Sequence, residues 1–333
     1  MTIGSHLYFH SPCFDGIVSC VLTWDFLETS QGWSVEEIHS VNYDAKASWL
    51  STRLNTKSAV VDFLYHPDAQ FWADHHVTTF LTEEAKRNFE RRMSRWLVYD
   101  ERSGSCALLL WKHFANSFGY RNHRYERLVE WADRIDSARY TSVEEAIFGA
   151  QPALRINLSL AGRDGEAYYS NLVKLLKYET LDHVAALPEV KARSENAESM
   201  IRVGMERFAK GSRLEHDGIA VFDVDSADAI ISRYAPYYLY PEARYSVGIV
   251  RSPNGASIRA MRNPWREFPS VPLGKIFSRF GGGGHQRVAA LVLSEESREE
   301  ASLKLDQIIS EIRREVEPQQ QLGQFVSVGG TEP

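Results

Sequence analysis

Apolar residues recur along the first part of the chain in two alternating patterns. Short runs such as His6-Leu7-Tyr8-Phe9 have the length and composition of strands, while residues 15–27 carry the longer period of a helix. Further strands are expected over residues 38–43 and 58–64, with a short one at Phe71-Trp72-Ala73 ending at Asp74. Helices are expected over 105–117 and 124–137. Strands alternating with helices predict a parallel sheet covered on both faces. Residues 151–213 read as helix throughout, with Pro188 at the start of a long charged helix over 188–210. Strand patterning returns at 219–224, 244–250 and 256–261. A helix over 271–280, a glycine run, a strand over 289–293 and a closing helix over 296–316 follow. The fold class is therefore α/β: an N-terminal parallel-sheet domain over 1–150, a helical connector over 151–215, and a smaller C-terminal α/β domain over 216–318. Residues 319–333, with Gln319-Gln320-Gln321 and Gly329-Gly330, lack periodicity and read as a flexible tail.

Length fits two domains with a connector, since the chain has 333 residues. Lys and Arg number 38 against 44 Asp and Glu, a net charge of -6, which argues against a broadly basic coat for nucleic acid but not against a local basic groove. No apolar run approaches the ~20 residues that span a bilayer, and the first residues lack the basic and apolar regions of a secretory signal. Three cysteines, Cys13, Cys20 and Cys106, suit a reducing compartment better than a disulfide framework. The expectation is a cytoplasmic protein with no membrane partner.

Four clusters in the first domain are rich in carboxylate and imidazole. They are His10-Ser11-Pro12-Cys13-Phe14-Asp15-Gly16, then Asp62 after Ala59-Val60-Val61, then Asp74-His75-His76, and Asp133-Arg134-Ile135-Asp136 on a helix. Three of them sit just after a predicted strand. In an open parallel sheet those positions share one edge, where ligands bind. A single strand-end Asp ordinarily caps a turn or a helix, which is the bland reading for Asp15 or Asp62 alone. Asp74-His75-His76 resists that reading, because three ionisable groups beside Phe71-Trp72-Ala73 are expensive to bury without a metal or partners. Converging carboxylates repel unless cations neutralise them, and mixed oxygen and imidazole donors suit manganese, magnesium, iron or zinc, with carboxylate richness favouring manganese or magnesium. In the fourth cluster Leu128, Ala132 and Ile135 mark a buried stripe. Asp136 lies nearer to it than Asp133, which is left as a supporting acid or a partner for Arg134 or Arg139.

Gly281-Gly282-Gly283-Gly284-His285 follows the predicted helix over 271–280. Four glycines permit positive φ and close approach by a ligand, and successive backbone N–H groups there would form an anion nest. His285, Arg259 and Arg262 could add donors to the same anion. The plainer reading makes one glycine a helix C-cap and the rest a loop.

Asp74-His75-His76 together with Gly282-Gly283-Gly284-His285 resembles the DHH phosphoesterase superfamily with its C-terminal DHH-associated domain, which includes RecJ-type exonucleases and nanoRNases. The resemblance runs from His10 to about Leu293. It implies that His10, Asp15, Asp62, His75 and an Asp of the fourth motif, Asp136 or else Asp133, are metal ligands. It also implies that Asp74 orients the histidine pair and that His76 faces the scissile phosphate. Gly282, Gly283, Gly284, His285 and Arg259 would hold the far phosphate or base of the substrate. The sequence departs from the family in one place: its first motif has two acids flanking one residue, and Cys13 stands where the first acid belongs. A thiolate there could still ligate zinc or another borderline metal.

The implied activity is metal-dependent phosphodiester hydrolysis with two divalent cations, Mn2+ first and Mg2+ or Zn2+ as alternatives, lowering the pKa of a bridging water. Tyr234, Tyr237, Tyr238, Tyr240 and Trp265, with Arg233, Arg244 and Arg266, could provide stacking platforms or equally pack the second domain. With a net negative chain, short oligonucleotides or linear dinucleotides are favoured over polymers. A 3′-phosphoadenosine-5′-phosphate phosphatase, a cyclic-dinucleotide phosphodiesterase and a non-catalytic nucleotide sensor are the other readings. A homodimer is compatible with the resemblance.

Overall fold

The computed structural model of the chain describes residues 4–55, 57–161, 165–253, 255–284, 286–293 and 298–327. These form two compact units, residues 1–140 with 149–197, and residues 141–148 with 198–333.

The first unit contains β1 (Gly4–His10), α1 (Phe14–Gln31), β2 (Ser34–Val41), β3 (Ser58–Val61), β4 (Phe71–Asp74), α2 (Glu83–Arg92), β5 (Leu97–Tyr99), α3 (Cys106–Phe118) and α4 (Glu126–Asp136). Its five strands are parallel, in the order β2-β1-β3-β4-β5. Strand order reverses between β1 and β3, so this pair flanks the crevice where an open α/β sheet receives a ligand. β3 and β4 are buried at every position, as strands covered on both faces should be. α1 is buried almost continuously from Phe14 to Thr23, because it packs against the sheet, α3 and α4 at once. The period of its sequence is correspondingly blurred. Ser105 caps α3 by accepting the Leu108 N–H at 3.0 Å, and Gly119 ends that helix in the left-handed region.

After α5 (Val143–Phe148) come α6 (Pro152–Ser159), α7 (Glu166–Tyr178), α8 (Leu181–Ala186) and α9 (Pro188–Lys210). The expected connector over 151–215 is not a separate body. α6, α7 and α8 belong to the first unit, where α7 packs on α1 and its Lys177 ammonium, buried over the Trp24 ring, pairs with Glu28. α9 passes from the first unit to the second at Ala197–Glu198, and α5 belongs to the second.

The second unit continues with β6 (Ser212–Leu214), β7 (Ile219–Asp225), α10 (Ala235–Leu239), β8 (Tyr245–Ser252), β9 (Gly255–Arg262), α11 (Leu273–Ser278), β10 (Gly283–Gly284), β11 (Val288–Leu293) and α12 (Arg298–Ser327). Its six strands are ordered β10-β11-β9-β8-β7-β6, with only β7 and β8 parallel. α11 and α12 bury Ile276, Phe277, Ile308 and Ile312 against one face, with Val247 and Ile258 from the sheet. Phe208 of α9 and Ala235 of α10 pack against Phe222, Val224 and Val250. The chain expected to be a flexible tail is helical through Gln319-Gln320-Gln321 as far as Ser327, and its last six residues lie outside the described ones. Among the described residues no helix is long and apolar enough to cross a membrane.

Candidate metal centre

Three of the four clusters stand at the carboxyl ends of neighbouring strands. His10 closes β1, Asp62 follows β3, and Asp74 closes β4 with His75 and His76 directly after it. Asp15 sits in the first turn of α1 and Asp136 ends α4. Sheet order therefore gathers them beside the β1/β3 crevice.

Asp62 is at the middle. It is fully buried, and neither carboxylate oxygen has a hydrogen-bond partner. Its Oδ2 lies 3.6 Å from His10 Nδ1, and its Oδ1 lies 3.7 Å from His75 Nε2 and 3.8 Å from His76 Nδ1. Its backbone is held at φ 56°, an uncommon conformation for a non-glycine residue, with its N–H donating to Ala73 O at 2.9 Å. Burial, then the charges of Asp15, Asp74 and Asp136, push its carboxyl well above the usual range.

Asp15 is oriented differently. Its carboxylate accepts the N–H groups of Cys106 at 2.7 Å and Ala107 at 2.9 Å, so it is anchored on the first turn of α3. The same Oδ2 stands 3.7 Å from His75 Nε2. Asp15 thus caps a helix, as the bland reading has it, but not the helix in which it lies.

His75 donates from Nδ1 to Ser103 O at 3.1 Å, which leaves Nε2 as the ring's electron-pair donor. That nitrogen is buried without a hydrogen-bond partner and points at Asp15, Asp62 and, at 3.3 Å, Asp136 Oδ2. His10 is held neutral, its pKa pushed down to about 4 by burial and then by the neighbouring His76. Its Nδ1 also lacks a hydrogen-bond partner. Asp74 uses Oδ1 to accept the backbone N–H of His75 at 2.8 Å and the Nδ1–H of His76 at 2.7 Å, and its Oδ2 has no partner. Burial opposes charge on His76, but the bond to Asp74 and the surrounding acids outweigh it and raise its pKa to about 9 in the metal-free protein.

Buried polar atoms without partners are rare in folded proteins, and here five of them face one another: His10 Nδ1, both oxygens of Asp62, Asp74 Oδ2 and His75 Nε2. All are Lewis bases. One donor atom each from His10, Cys13 and Asp62 lies within 4.8 Å of the others, and the same holds for Asp15, His75 and Asp136, and for Asp62, Asp74, His75 and His76. The residues present fit divalent cations, with Asp62 common to two of the three groupings.

Asp133 is not in these groupings. It is more buried than Asp136, contrary to the stripe argument, but the Arg139 guanidinium pairs with it, and Gly104 packs so closely that an added Cβ would lie 2.3 Å from its Oδ1. Asp136 is the acid that reaches His75. Cys13 stands at the N-cap of α1, where burial and then Asp62, Asp136 and Asp15 raise its thiol pKa. Cys20 and Cys106 are fully buried packing residues. Gly16 is required by close approach, since a Cβ would lie 2.1 Å from His10 O and 3.2 Å from Asp62 Oδ2. Tyr43 gave no signal in the sequence. Its ring meets His10 edge-on at 5.1 Å, and burial, then Asp74 and Asp62, keep its phenol protonated. A separate grouping, His6, Glu37 and His39, occupies the opposite end of β1, about 13 Å away along the strand.

In the second unit the glycine run serves two purposes. Gly281, at φ 85°, ends α11, with its N–H on Ser278 O and that of Gly282 on Phe277 O, so the expected nest of four free amides is not formed. Gly282 is in close contact, 2.6 Å from an added Cβ to Ala290 O. Gly283 and Gly284 form the edge strand β10. Gly283 pairs with Ala290, which pairs with Arg259, so glycine and guanidinium stand at one level of the sheet. Gly283 has open space where a Cβ would go. His285 lies outside the described residues. Of the aromatic set, Tyr234 and Tyr237 are core residues, packed on Trp265, and Tyr240 bonds Ser212; only Tyr238 is exposed. Packing, not a stacking track, accounts for most of them.

No protein-family model and no curated protein matches the sequence. Solved structures do. The pGpG-specific phosphodiesterase PggH from Vibrio cholerae is similar at TM-score 0.66 and 17% identity, over 93% of this chain and 99% of that one. A DHH domain from a member of the s1p family of ribosomal proteins matches at 0.56 and 12%, over 92% and 86%. RecJ from Thermus thermophilus in complex with Mn2+ matches at 0.54 and 11%, over 93% of this chain and 52% of that one. At these identities the likeness is one of fold.

Proposed function

We propose that this chain, which has the fold of the DHH phosphoesterases, is a divalent-metal-dependent phosphodiesterase of manganese type that hydrolyses short oligonucleotides or linear dinucleotides to mononucleotides. The observation that carries the reading is Asp62: a buried carboxylate with no hydrogen-bond partner, shared by the grouping with His10 and Cys13 and the one with Asp74, His75 and His76. His10, Cys13 and Asp62 would hold one cation, and Asp15, His75 and Asp136 the other. Bound there, the cations supply Lewis acidity, acidifying an attacking water and offsetting charge on the phosphoryl oxygens. Asp74 accepts the Nδ1–H of His76 and so holds its orientation, leaving Nε2–H to face the developing phosphoryl charge. Tyr43, kept protonated, is a second donor at the rim.

Substrate capture falls to Arg259 and Gly283. Beside Arg259 the second unit has a largely apolar cavity of about 150 Å³, lined also by Ile231, Ser232, Ser246 and Ala290, which suits a flat ring. A net charge of -6 and the packed tyrosines favour a short substrate over a polymer. The pGpG-specific phosphodiesterase works on a substrate of that size class.

Gly283→Ala is expected to fold normally, since its Cβ meets no atom within 4 Å, yet to raise KM by about tenfold with little change in kcat, because the added methyl occupies the space left for the ligand. Steady-state kinetics with thermal denaturation checks both parts; an unchanged KM would remove Gly283 from the binding surface. The function itself is tested by a manganese-supplemented hydrolysis panel of RNA and DNA of graded length, linear and cyclic dinucleotides, 3′-phosphoadenosine-5′-phosphate and pyrophosphate. Mononucleotide release should be fastest from the linear dinucleotide and the shortest oligonucleotides. Preference for the bisphosphonucleotide or for a cyclic dinucleotide would redirect the assignment.

A further inference from the structure

We infer that the two cation positions are chemically unequal, and that Cys13 makes one of them a site for a thiophilic dication such as Zn2+ or Co2+, while the other takes a hard ion such as Mn2+ or Mg2+. This rests on the reading of the cluster as a two-cation centre. The first grouping offers one sulfur, one imidazole nitrogen and one carboxylate, from Cys13, His10 and Asp62. The second, Asp15, His75 and Asp136, offers two carboxylates and one imidazole. Soft sulfur with imidazole selects zinc-like ions, whereas a set dominated by oxygen favours hard ones.

Local structure leaves the sulfur available. Cys13 occupies the N-cap of α1 with extended backbone, φ -144° and ψ 131°, but its side chain makes no capping hydrogen bond. Its Sγ stands instead within 4.8 Å of donor atoms of His10 and Asp62. Those neighbours point independently to a ligand, since His10 Nδ1 and both oxygens of the fully buried Asp62 lack hydrogen-bond partners. The other cysteines differ. Cys106 directs its sulfur to Ala73 O at 3.4 Å, and Cys20 lies in the buried body of α1; neither joins a ligand grouping among the described residues. On binding, the thiol releases its proton to solvent and the thiolate coordinates the cation.

The test is a titration of the metal-stripped, full-length protein with Co2+ under anaerobic conditions, followed by near-ultraviolet absorbance and by metal content. Wild type should develop a thiolate-to-cobalt charge-transfer band that saturates at one equivalent, and Cys13→Ser and Cys13→Asp should lack it while still binding cobalt. Cobalt taken up by His6, Glu37 and His39 would add to the metal content but not to that band. In a Zn2+/Mn2+ competition, Cys13→Asp should lower the preference for zinc at the first equivalent by about tenfold or more. Cobalt bound without the band, a band that survives in Cys13→Ser, or an unchanged zinc preference in Cys13→Asp would overturn the inference and leave the two-cation reading standing. No metal uptake by wild type would overturn both.

Discussion

Asp62→Asn is expected to reduce turnover by about three orders of magnitude or more and, at the same time, to raise the melting temperature of the metal-free protein. The first effect follows from Asp62 serving with His10 and Cys13 as a ligand of one cation while its Oδ1 stands 3.7 Å from His75 Nε2 of the other grouping, so its loss removes a ligand from one site and alters the surroundings of the second. The second follows from the same geometry without the cations. A buried carboxylate with both oxygens unpartnered, facing the charges of Asp15, Asp74 and Asp136, destabilises the fold that contains it. Asparagine removes the charge at nearly constant volume and tolerates the φ of 56°. The pH dependence has a definite sign. Because the carboxyl pKa is raised in the folded state, its contribution to stability is intact below the ordinary value of 3.8 and is lost as pH rises through the raised one. The stability advantage of Asp62→Asn over wild type should therefore widen as pH increases from about 4, and should vanish or reverse when Mn2+ is added, since only wild type gains the full binding energy. Thermal denaturation of both proteins across that pH range, with and without metal, measures it. A variant less stable than wild type in the absence of metal would show that Asp62 has protein partners after all.

Asp15→Asn is expected to be equally damaging to activity and opposite in stability. Asp15 is also a buried acid facing His75, but its charge is met by the N–H groups of Cys106 and Ala107 at the start of α3. Hydrogen bonds to a charged group contribute about 1.5–3 kcal/mol each. An asparagine can accept only one of the two and turns its own N–H groups toward the other, so α1 and α3 lose part of their junction. A destabilisation of about 2–4 kcal/mol is expected, read as a lower midpoint in urea with an unchanged m-value. Two carboxylates of one centre would thus be separated by function: one anchors the framework and also binds, the other only binds. Equal stability effects of the two substitutions would contradict that division.

Much of the centre was legible because strand ends are short-range features. His10, Asp62, Asp74 and His75 each follow an apolar run, and a parallel sheet brings such positions to one edge whatever lies between them. What escaped notice depends on partners distant in sequence. Asp15 meets Cys106 across 91 positions, and no local pattern announces that it caps α3. Tyr43 lies in a short 3-10 segment with no periodicity, and its relation to His10 exists only in space. The helical stripe points to Asp136 over Asp133 as the inward acid, and Asp136 is the one beside His75; what the stripe does not show is that Arg139 and Gly104 bury Asp133 more deeply. In the second unit the glycine run was visible, but not that its first two amides close α11 or that Arg259 shares a sheet level with Gly283. The connector misled because helical pattern shows an apolar face without naming its partner. α7 buries its face on α1, more than a hundred residues earlier.

The central claim, that Asp62 and its neighbours hold catalytic divalent cations, is tested most directly by mononucleotide release from pGpG with metal-stripped protein as Mn2+ is added. Wild type should show no release without metal and saturable release with it, and Asp62→Asn should release almost none at any concentration. Release that is independent of added metal, or undiminished in Asp62→Asn, would contradict the claim.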